Sequence, residues 1–265
     1  MKKKNLIVFD IDGTLTDSVK VHQKAFTEML LEIGVRQVNA EYKSFKHHTD
    51  SYIAKEIFET DRNEKFSAEK NIEFENGLYK KIKSQEILEI LGAKKLIEYL
   101  DTNSDFGICY ATGSLRRPAI HKLESIGVKF DERLLVASDN IYEREEIVKR
   151  AIVNAQAFYN IDRFERTISL GDGLWDLKTA KHLNIEFIGI GDKNREILIN
   201  IFHYILIVRI LFLVALYSGS SFFPQENNRM QNIEIKINFF IILCFFIFYY
   251  HFFNIIKRCS TIRFF

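Results

Sequence analysis

The chain has 265 residues, with 37 Lys and Arg against 35 Asp and Glu, a net charge of +2, and 47% hydrophobic residues. This length and composition predict one or two folded domains with a large core, and they exclude disordered, collagen-like and low-complexity chains. The near-neutral charge gives no electrostatic reason to expect a nucleic acid as the main partner.

Short apolar runs alternate with longer amphipathic stretches between residues 5 and 192. The short runs are continuously apolar, which is typical of parallel strands covered on both faces. We predict strands at Leu6–Phe9, Phe106–Tyr110, Leu134–Ala137, Thr167–Leu170 and Glu186–Ile190, and helices at Arg116–Ile126, Arg144–Tyr159 and Leu174–Leu183. This alternation predicts an α/β fold with a doubly wound, Rossmann-like parallel sheet.

Residues 17–86 interrupt the alternation directly after the first strand, because they carry helical patterns and no convincing strand. Apolar stripes lie at Ala25–Ile33 and, after candidate caps at residues 49–51, at Tyr52–Ile57, and a third helix is expected from Ser67 to about Lys83. We therefore expect an inserted, all-helical cap. The predicted organisation is an α/β core of residues 1–16 and 87–196, a helical cap of residues 17–86, and an atypical hydrophobic tail of residues 197–265.

Acidic residues follow directly on two of the predicted strands. Asp10 and Asp12 come after the first strand, and Asp172 and Asp176 follow the strand at 167–170. Because open α/β sheets bind ligands at the carboxyl ends of their strands, we expect these side chains to lie close together. Like charges at that distance repel unless a cation offsets them, and carboxylate oxygens suit Mg²⁺. Mg²⁺ is therefore the expected cofactor.

Two further features predict an anion at the same edge of the sheet. The strand at 106–110 leads into Thr112, Gly113 and Ser114 just before a helix, where a hydroxyl and free helix amides can hold a phosphate. Arg144 begins the next helix, where the helix dipole would repel a cation unless an anion lies above it. The alternative is a salt bridge from Arg144 to a neighbouring acid such as Glu143.

Three motifs occur in an order that resembles one enzyme superfamily. They are Asp-x-Asp-Gly-Thr-Leu-x-Asp at 10–17, Ala-Thr-Gly-Ser at 111–114 and Gly-Asp-Gly-x-x-Asp at 171–176. Over residues 5–192 the chain resembles the phosphohydrolases of the haloacid dehalogenase (HAD) superfamily. The helical insert is similar to the cap of the phosphoglycolate phosphatase and β-phosphoglucomutase branch. The resemblance implies a Mg²⁺-dependent phosphatase for a small phosphorylated metabolite.

The resemblance also implies roles for individual residues. Asp10 would be the nucleophile that forms an aspartyl-phosphate, and Asp12 the general acid/base, for which we expect a pKa raised by neighbouring carboxylates. The third motif has Arg144 where Lys is commoner, and Lys149 is the alternative to it. The implied phosphate-binding residues are Thr112, Gly113 and Arg144, and the implied metal ligands are Asp10, Asp12, Asp172 and Asp176. Candidate substrate contacts in the insert are His22, His47, His48 and Asp50.

The tail differs in composition from the rest of the chain. Residues 197–265 hold two of the 35 acidic residues but 13 of the 24 Phe. Residues 237–256 meet the length rule for a membrane span, and Lys257 and Arg258 follow them. We interpret the tail either as a membrane anchor or as the product of a frameshift or read-through.

Location and activity each have alternatives. The scattered, odd-numbered cysteines Cys109, Cys244 and Cys259 favour a reducing compartment, so we expect a cytoplasmic protein, or a membrane-associated one if the tail is an anchor. The alternatives to a phosphatase are a sugar-phosphate mutase of the same architecture and a catalytically inactive or membrane-tethered binding protein.

Overall fold

The computed structural model describes residues 2–38 and 45–191. Its strands are β1 Asn5–Phe9, β2 Thr16–Asp17, β3 Leu88–Glu89, β4 Phe106–Ala111, β5 Leu135–Val136, β6 Thr167–Gly171 and β7 Glu186–Gly189. Its helices are α1 Val19–Glu32, α2 Asp50–Arg62, α3 Ala68–Lys83, α4 Ala93–Asn103, α5 Arg116–Ser125, α6 Arg144–Tyr159 and α7 Leu174–His182. The elements predicted between residues 87 and 191 are confirmed, with shifts of a residue or two at their ends.

The main sheet of the described residues has five parallel strands in the order β5-β4-β1-β6-β7. Leu6 of the central strand β1 pairs with Gly107 of β4 on one side and with Thr167 of β6 on the other. The chain fills one side of β1 first and then crosses to the other, so the strand order reverses at β1. Ligand crevices of such sheets lie at this reversal. The predicted doubly wound α/β fold is confirmed.

Successive residues of β1 point to opposite faces of the sheet, and both faces are buried. Ile7 and Phe9 belong to a hydrophobic cluster that includes residues of α4 and α5. Leu6 and Val8 belong to a second cluster, which includes residues of α6. Burial on both faces is the reason that the strands are continuous apolar runs in the sequence.

The regular structure described in the insert after β2 consists of the helices α1, α2 and α3, which agree with the three helical patterns of the sequence. The rings of Phe26 in α1 and Phe74 in α3 meet edge to face with their centroids 5.0 Å apart. Ser67 caps α3 by accepting a hydrogen bond from the Lys70 amide. The prediction that side chains at residues 49–51 cap α2 is wrong for Thr49, because its hydroxyl donates to the Tyr142 carbonyl at 2.9 Å.

A short antiparallel pair of strands, β2 and β3, was not predicted. Thr16 pairs with Glu89 and Asp17 with Leu88, at the points where the chain leaves the core for the insert and returns from it. Each strand has only two residues, so neither produces a recognisable alternation in the sequence. This pairing holds the two chain segments that connect the core to the insert side by side.

Within residues 2–38 and 45–191, no helix is long and apolar enough to cross a membrane. The described residues end at 191. The predicted span at 237–256 and the rest of the tail from 197 onwards lie outside them. Both interpretations of the tail stay predictions.

The packing of the insert gives the first testable prediction. Phe74 is fully buried, so Phe74→Ala should lower the free energy of unfolding by about 3–5 kcal/mol through lost burial and a residual cavity. Ile72 lies in the same helix but is 59% exposed, so Ile72→Ala should change it by no more than about 0.5 kcal/mol. Urea unfolding of both variants checks the prediction. Equal losses would show that α3 does not pack as described.

Candidate active site

Three carboxylates from two strand ends meet at the edge of the sheet beside β1. Asp10 follows β1 directly, and its amide donates to the Leu170 carbonyl of β6 at 2.9 Å, which holds it against the neighbouring strand. Asp172 follows β6, and Asp176 lies in the first turn of α7. One ligand oxygen from each of Asp10, Asp172 and Asp176 lies within 4.8 Å of the others. The structure therefore brings together three of the four predicted metal ligands.

Gly13 allows the loop after β1 to pass close to this cluster. Its φ is +80°, a conformation that side chains disfavour. A Cβ at this position would lie 2.3 Å from Asp172 Oδ2. Any larger residue would therefore push the loop or the carboxylate away from the site.

Arg144 is the cation of the cluster. Its Nη2 donates to Asp10 Oδ1 at 3.1 Å and also to Asp176 Oδ1, and only 8% of the residue is exposed. Lys149, the alternative for this role, is exposed on the outer side of α6. The structure therefore brings Arg144, not Lys149, to the carboxylates, and the partners of Arg144 are Asp10 and Asp176 rather than Glu143.

The electrostatics of Asp10 suit a metal or another cation. Burial and the charge of Asp176 raise the pKa of Asp10 well above its ordinary value, Arg144 opposes them, and Asp172 and Asp12 raise it further. One guanidinium thus leaves the carboxylates short of positive charge. The all-oxygen donor set of Asp10, Asp172 and Asp176 fits a hard divalent cation such as Mg²⁺.

The Asp12 side chain lies apart from these carboxylates and has its own cation, Lys122. Burial by itself would raise the pKa of Asp12, but the charge of Lys122 and hydrogen bonds from Lys122 and Ser18 lower it to about 2. The expectation of a raised pKa for Asp12 is therefore wrong. Lys122 was missed because it lies 110 residues from Asp12, in a helix whose pattern predicts only a buried face.

The loop after β4 lies at the same edge of the sheet. Thr112 is 1% exposed, and its Oγ1 accepts a hydrogen bond from the Ser114 amide at 3.1 Å. A Cβ on Gly113 would lie 2.6 Å from the carbonyl oxygen of His48 and 2.9 Å from Nη1 of Arg144. Glycine is therefore needed here for the insert and the guanidinium to approach the loop. Thr112, Gly113 and Arg144 thus lie together. The expectation of free helix amides is wrong, because the Leu115 and Arg116 amides at the start of α5 donate to carboxylates of Asp50 and Asp139.

The four candidate substrate contacts in the insert separate into different surroundings. His48 stacks on Trp175, with ring centroids 4.6 Å apart. Burial of the His48 ring lowers its pKa, and the positive charges of Arg144 and Lys178 lower it further. His22 and Asp50 pair with each other at 2.9 Å. His47 instead lies against the Tyr52 ring, with its Nε2 4.0 Å from Glu143.

Comparison with known proteins identifies the family. Residues 7–190 match the haloacid dehalogenase-like hydrolase family, so the chain belongs to it. The predicted family and enzyme class, a HAD-like phosphoric monoester hydrolase, are confirmed.

Solved structures share the fold. CbbY from Rhodobacter sphaeroides in complex with phosphate is 19% identical, with 72% of this chain and 87% of that chain covered and a TM-score of 0.54. A mutant of CbbY in complex with xylulose-(1,5)bisphosphate gives the same identity and coverage and a TM-score of 0.55. β-Phosphoglucomutase from Clostridium difficile is 20% identical, with 72% and 86% covered and a TM-score of 0.51.

The raised pKa of Asp10 predicts a pH-dependent difference in stability between the wild type and Asp10→Asn. Because the pKa of Asp10 is higher in the folded chain than in the unfolded chain, loss of the Asp10 proton disfavours folding, so the metal-free variant should be the more stable protein at neutral pH. As the pH falls through the raised pKa, the folded wild type takes up a proton before the unfolded chain does, and the difference should shrink.

Urea unfolding in a chelator, from neutral pH down to about pH 4, measures this difference. Asp162→Asn is the matched control, because Asp162 is exposed and remote from the cluster. A difference that stays constant with pH would contradict the prediction.

Proposed function

We propose that the chain is a Mg²⁺-dependent phosphatase that hydrolyses a small phosphorylated metabolite through an aspartyl-phosphate on Asp10. The observation that carries the proposal is the buried Asp10 carboxylate held by Arg144 beside the Thr112–Gly113 loop. A carboxylate nucleophile and a fixed cation beside it are parts that phosphoryl transfer requires.

In the first half of the proposed reaction, a carboxylate oxygen of Asp10 attacks the phosphorus. The bond from phosphorus to the ester oxygen breaks, and that oxygen takes a proton from Asp12. Arg144 opposes the charge repulsion between the dianion and Asp10, and the guanidinium can contact two oxygens at once. When bound, Mg²⁺ would be held by Asp10, Asp172 and Asp176 and would supply further positive charge for the phosphate.

In the second half, Asp12 takes a proton from water, which attacks the phosphorus and frees Asp10 and inorganic phosphate. The lowered pKa of Asp12 matches this step, since the carboxylate is ionised at neutral pH. The first half needs a protonated Asp12, and a phosphate dianion beside the carboxylate favours that form. The two halves thus leave Asp12 as it began.

Residues 17–86 are proposed to act as a cap over a core of residues 1–16 and 87–196. The support is that Asp50 and His48 of the insert already contact the core loop: the Asp50 amide donates to the Gly113 carbonyl at 2.8 Å, and the His48 ring lies on Trp175. A cap in this position would exclude water from the reacting phosphate. The proposed location is the cytoplasm. It is supported by the scattered, odd-numbered cysteines of the sequence, which favour a reducing compartment.

A sugar-phosphate mutase is the second candidate, because β-phosphoglucomutase shares the fold. The two are distinguished by the fate of a hexose monophosphate. Release of inorganic phosphate favours the phosphatase, whereas an isomeric sugar phosphate that forms faster with a bisphosphate activator favours the mutase.

Asp10→Asn should abolish turnover of an aryl phosphate and of every active member of a phosphometabolite panel, with a loss of about 10⁴-fold or more, because no nucleophile remains. The measurement is inorganic phosphate release with Mg²⁺ present. Asp162→Asn, which changes an exposed carboxylate in the same way, should keep full activity. Full activity of Asp10→Asn would overturn the proposed function.

Metal removal should act through the carboxylate cluster. A chelator should abolish phosphate release and Mg²⁺ should restore it. Mg²⁺ at about 100 times its dissociation constant should raise the free energy of unfolding of the wild type by roughly 2.7 kcal/mol. The same Mg²⁺ concentration should raise that of Asp172→Asn by much less. Thermal unfolding with and without Mg²⁺ checks this, and equal stabilisation of both proteins would place the metal elsewhere.

A further inference from the structure

Lys122 in α5 is a fully buried lysine whose ammonium group has three acceptors. Its Nζ lies 2.7 Å from the Asp12 carboxylate, 2.9 Å from Nδ1 of His22 and 3.2 Å from Oγ of Ser114. An ammonium group has three N–H donors and accepts no hydrogen bond, so these partners satisfy it completely. A buried charge is tolerated only with such partners, which makes this arrangement specific rather than incidental.

The direction of the donors fixes the state of His22. Because Lys122 can only donate, Nδ1 of His22 accepts, and the ring proton lies on Nε2. Nε2 then donates to Oδ1 of Asp50 at 2.9 Å. Oδ2 of Asp50 accepts from the Leu115 amide at 3.1 Å. Hydrogen bonds therefore connect Asp12 continuously, through Lys122, His22 and Asp50, to the Leu115 amide.

This chain of contacts crosses between the core and the insert twice. Asp12 and Lys122 belong to the core, His22 lies in α1 and Asp50 in α2 of the insert, and Leu115 is again in the core. The orientation of the Asp12 carboxylate is therefore linked to the docked position of the insert. Ser18 is the other side chain that donates to Asp12, and it lies where the chain enters the insert.

We propose that Lys122 is a positioning residue, which fixes the Asp12 carboxylate for proton transfer and links that position to the docked insert through His22 and Asp50. The inference rests on the proposed function, because it assigns Lys122 to the step that Asp12 performs. Met at position 122 would keep the buried stem and remove the ammonium group. Asp12 would then lose the cation that opposes its burial and would keep the hydrogen bond from Ser18.

The first test compares two leaving groups in Lys122→Met. An alkyl phosphate needs a proton on its leaving oxygen, whereas a dinitrophenolate leaves without one. Turnover of the alkyl phosphate should fall about 10- to 100-fold, because a misplaced Asp12 loses part of its general acid contribution. The rapid burst of dinitrophenolate should keep its rate within about threefold. Equal losses in both measurements would mean a general structural defect and would overturn the inference.

The second test is a double-mutant cycle with Asp12→Asn. If Lys122 acts through Asp12, Lys122→Met should change turnover by less than about twofold once Asp12 is already Asn. The same fold-loss in both backgrounds would overturn the inference. The outcome is distinguishable from failure of the proposed function, because that failure shows as full activity of Asp10→Asn, whatever the cycle gives.

A matched pair at His22 tests the proposal without changing Lys122, and it decides the matter if Lys122→Met does not fold. The amide of His22→Asn can place an acceptor where Nδ1 lies, whereas the longer His22→Gln reaches towards Asp50 and leaves Lys122 without that acceptor. His22→Gln should lower the ratio of alkyl to dinitrophenyl phosphate turnover about 3- to 10-fold more than His22→Asn does. Equal ratios in the two variants would overturn the inference.

Discussion

Repulsion among carboxylates at the end of β1 is the constraint on which the rest of this site depends. Asp10, Asp172 and Asp176 lie within 4.8 Å of one another, and Asp10 and Asp176 are buried. A buried like-charge cluster is costly unless a cation is fixed beside it. Arg144 supplies that cation from α6, and Nη2 alone contacts both Asp10 and Asp176. The position of α6 against the sheet is therefore part of the chemistry.

The parallel sheet brings these carboxylates together. The acids are far apart in sequence, but β1 and β6 are hydrogen-bonded neighbours, so their carboxyl ends share one edge. Gly13 then gives the loop a conformation in which Asp172 can approach. Both faces of β1 are occupied by apolar residues, which leaves the strand end as the place where polar groups from several elements can meet.

The sequence was sufficient for those parts of the fold and site that follow from local pattern. Continuous apolar runs predicted the five strands, and their order along the chain placed Asp10 and Asp172 at strand ends. It was not sufficient for Lys122, because a lysine within an amphipathic helix normally lies at the surface, and no local signal shows that Asp12 lies beside it. The strands β2 and β3 were also missed, since two-residue strands have no periodicity. The pKa of Asp12 was predicted in the wrong direction because its contact with Lys122 could not be foreseen.

Two cations pair with different acids of this site and so separate Asp12 electrostatically from Asp10 and Asp176. Arg144 serves Asp10 and Asp176, whereas Lys122 serves Asp12, although Asp10 and Asp12 are only two residues apart. Burial is the largest influence on both residues, yet the pKa of Asp10 is raised and that of Asp12 is lowered. The difference comes from the neighbours. At Asp10, burial together with Asp176 and Asp172 outweighs Arg144, whereas at Asp12 the charge and hydrogen bond of Lys122 oppose burial. The groups packed around each carboxylate, and not its distance along the chain from the other, therefore set the electrostatics of this site.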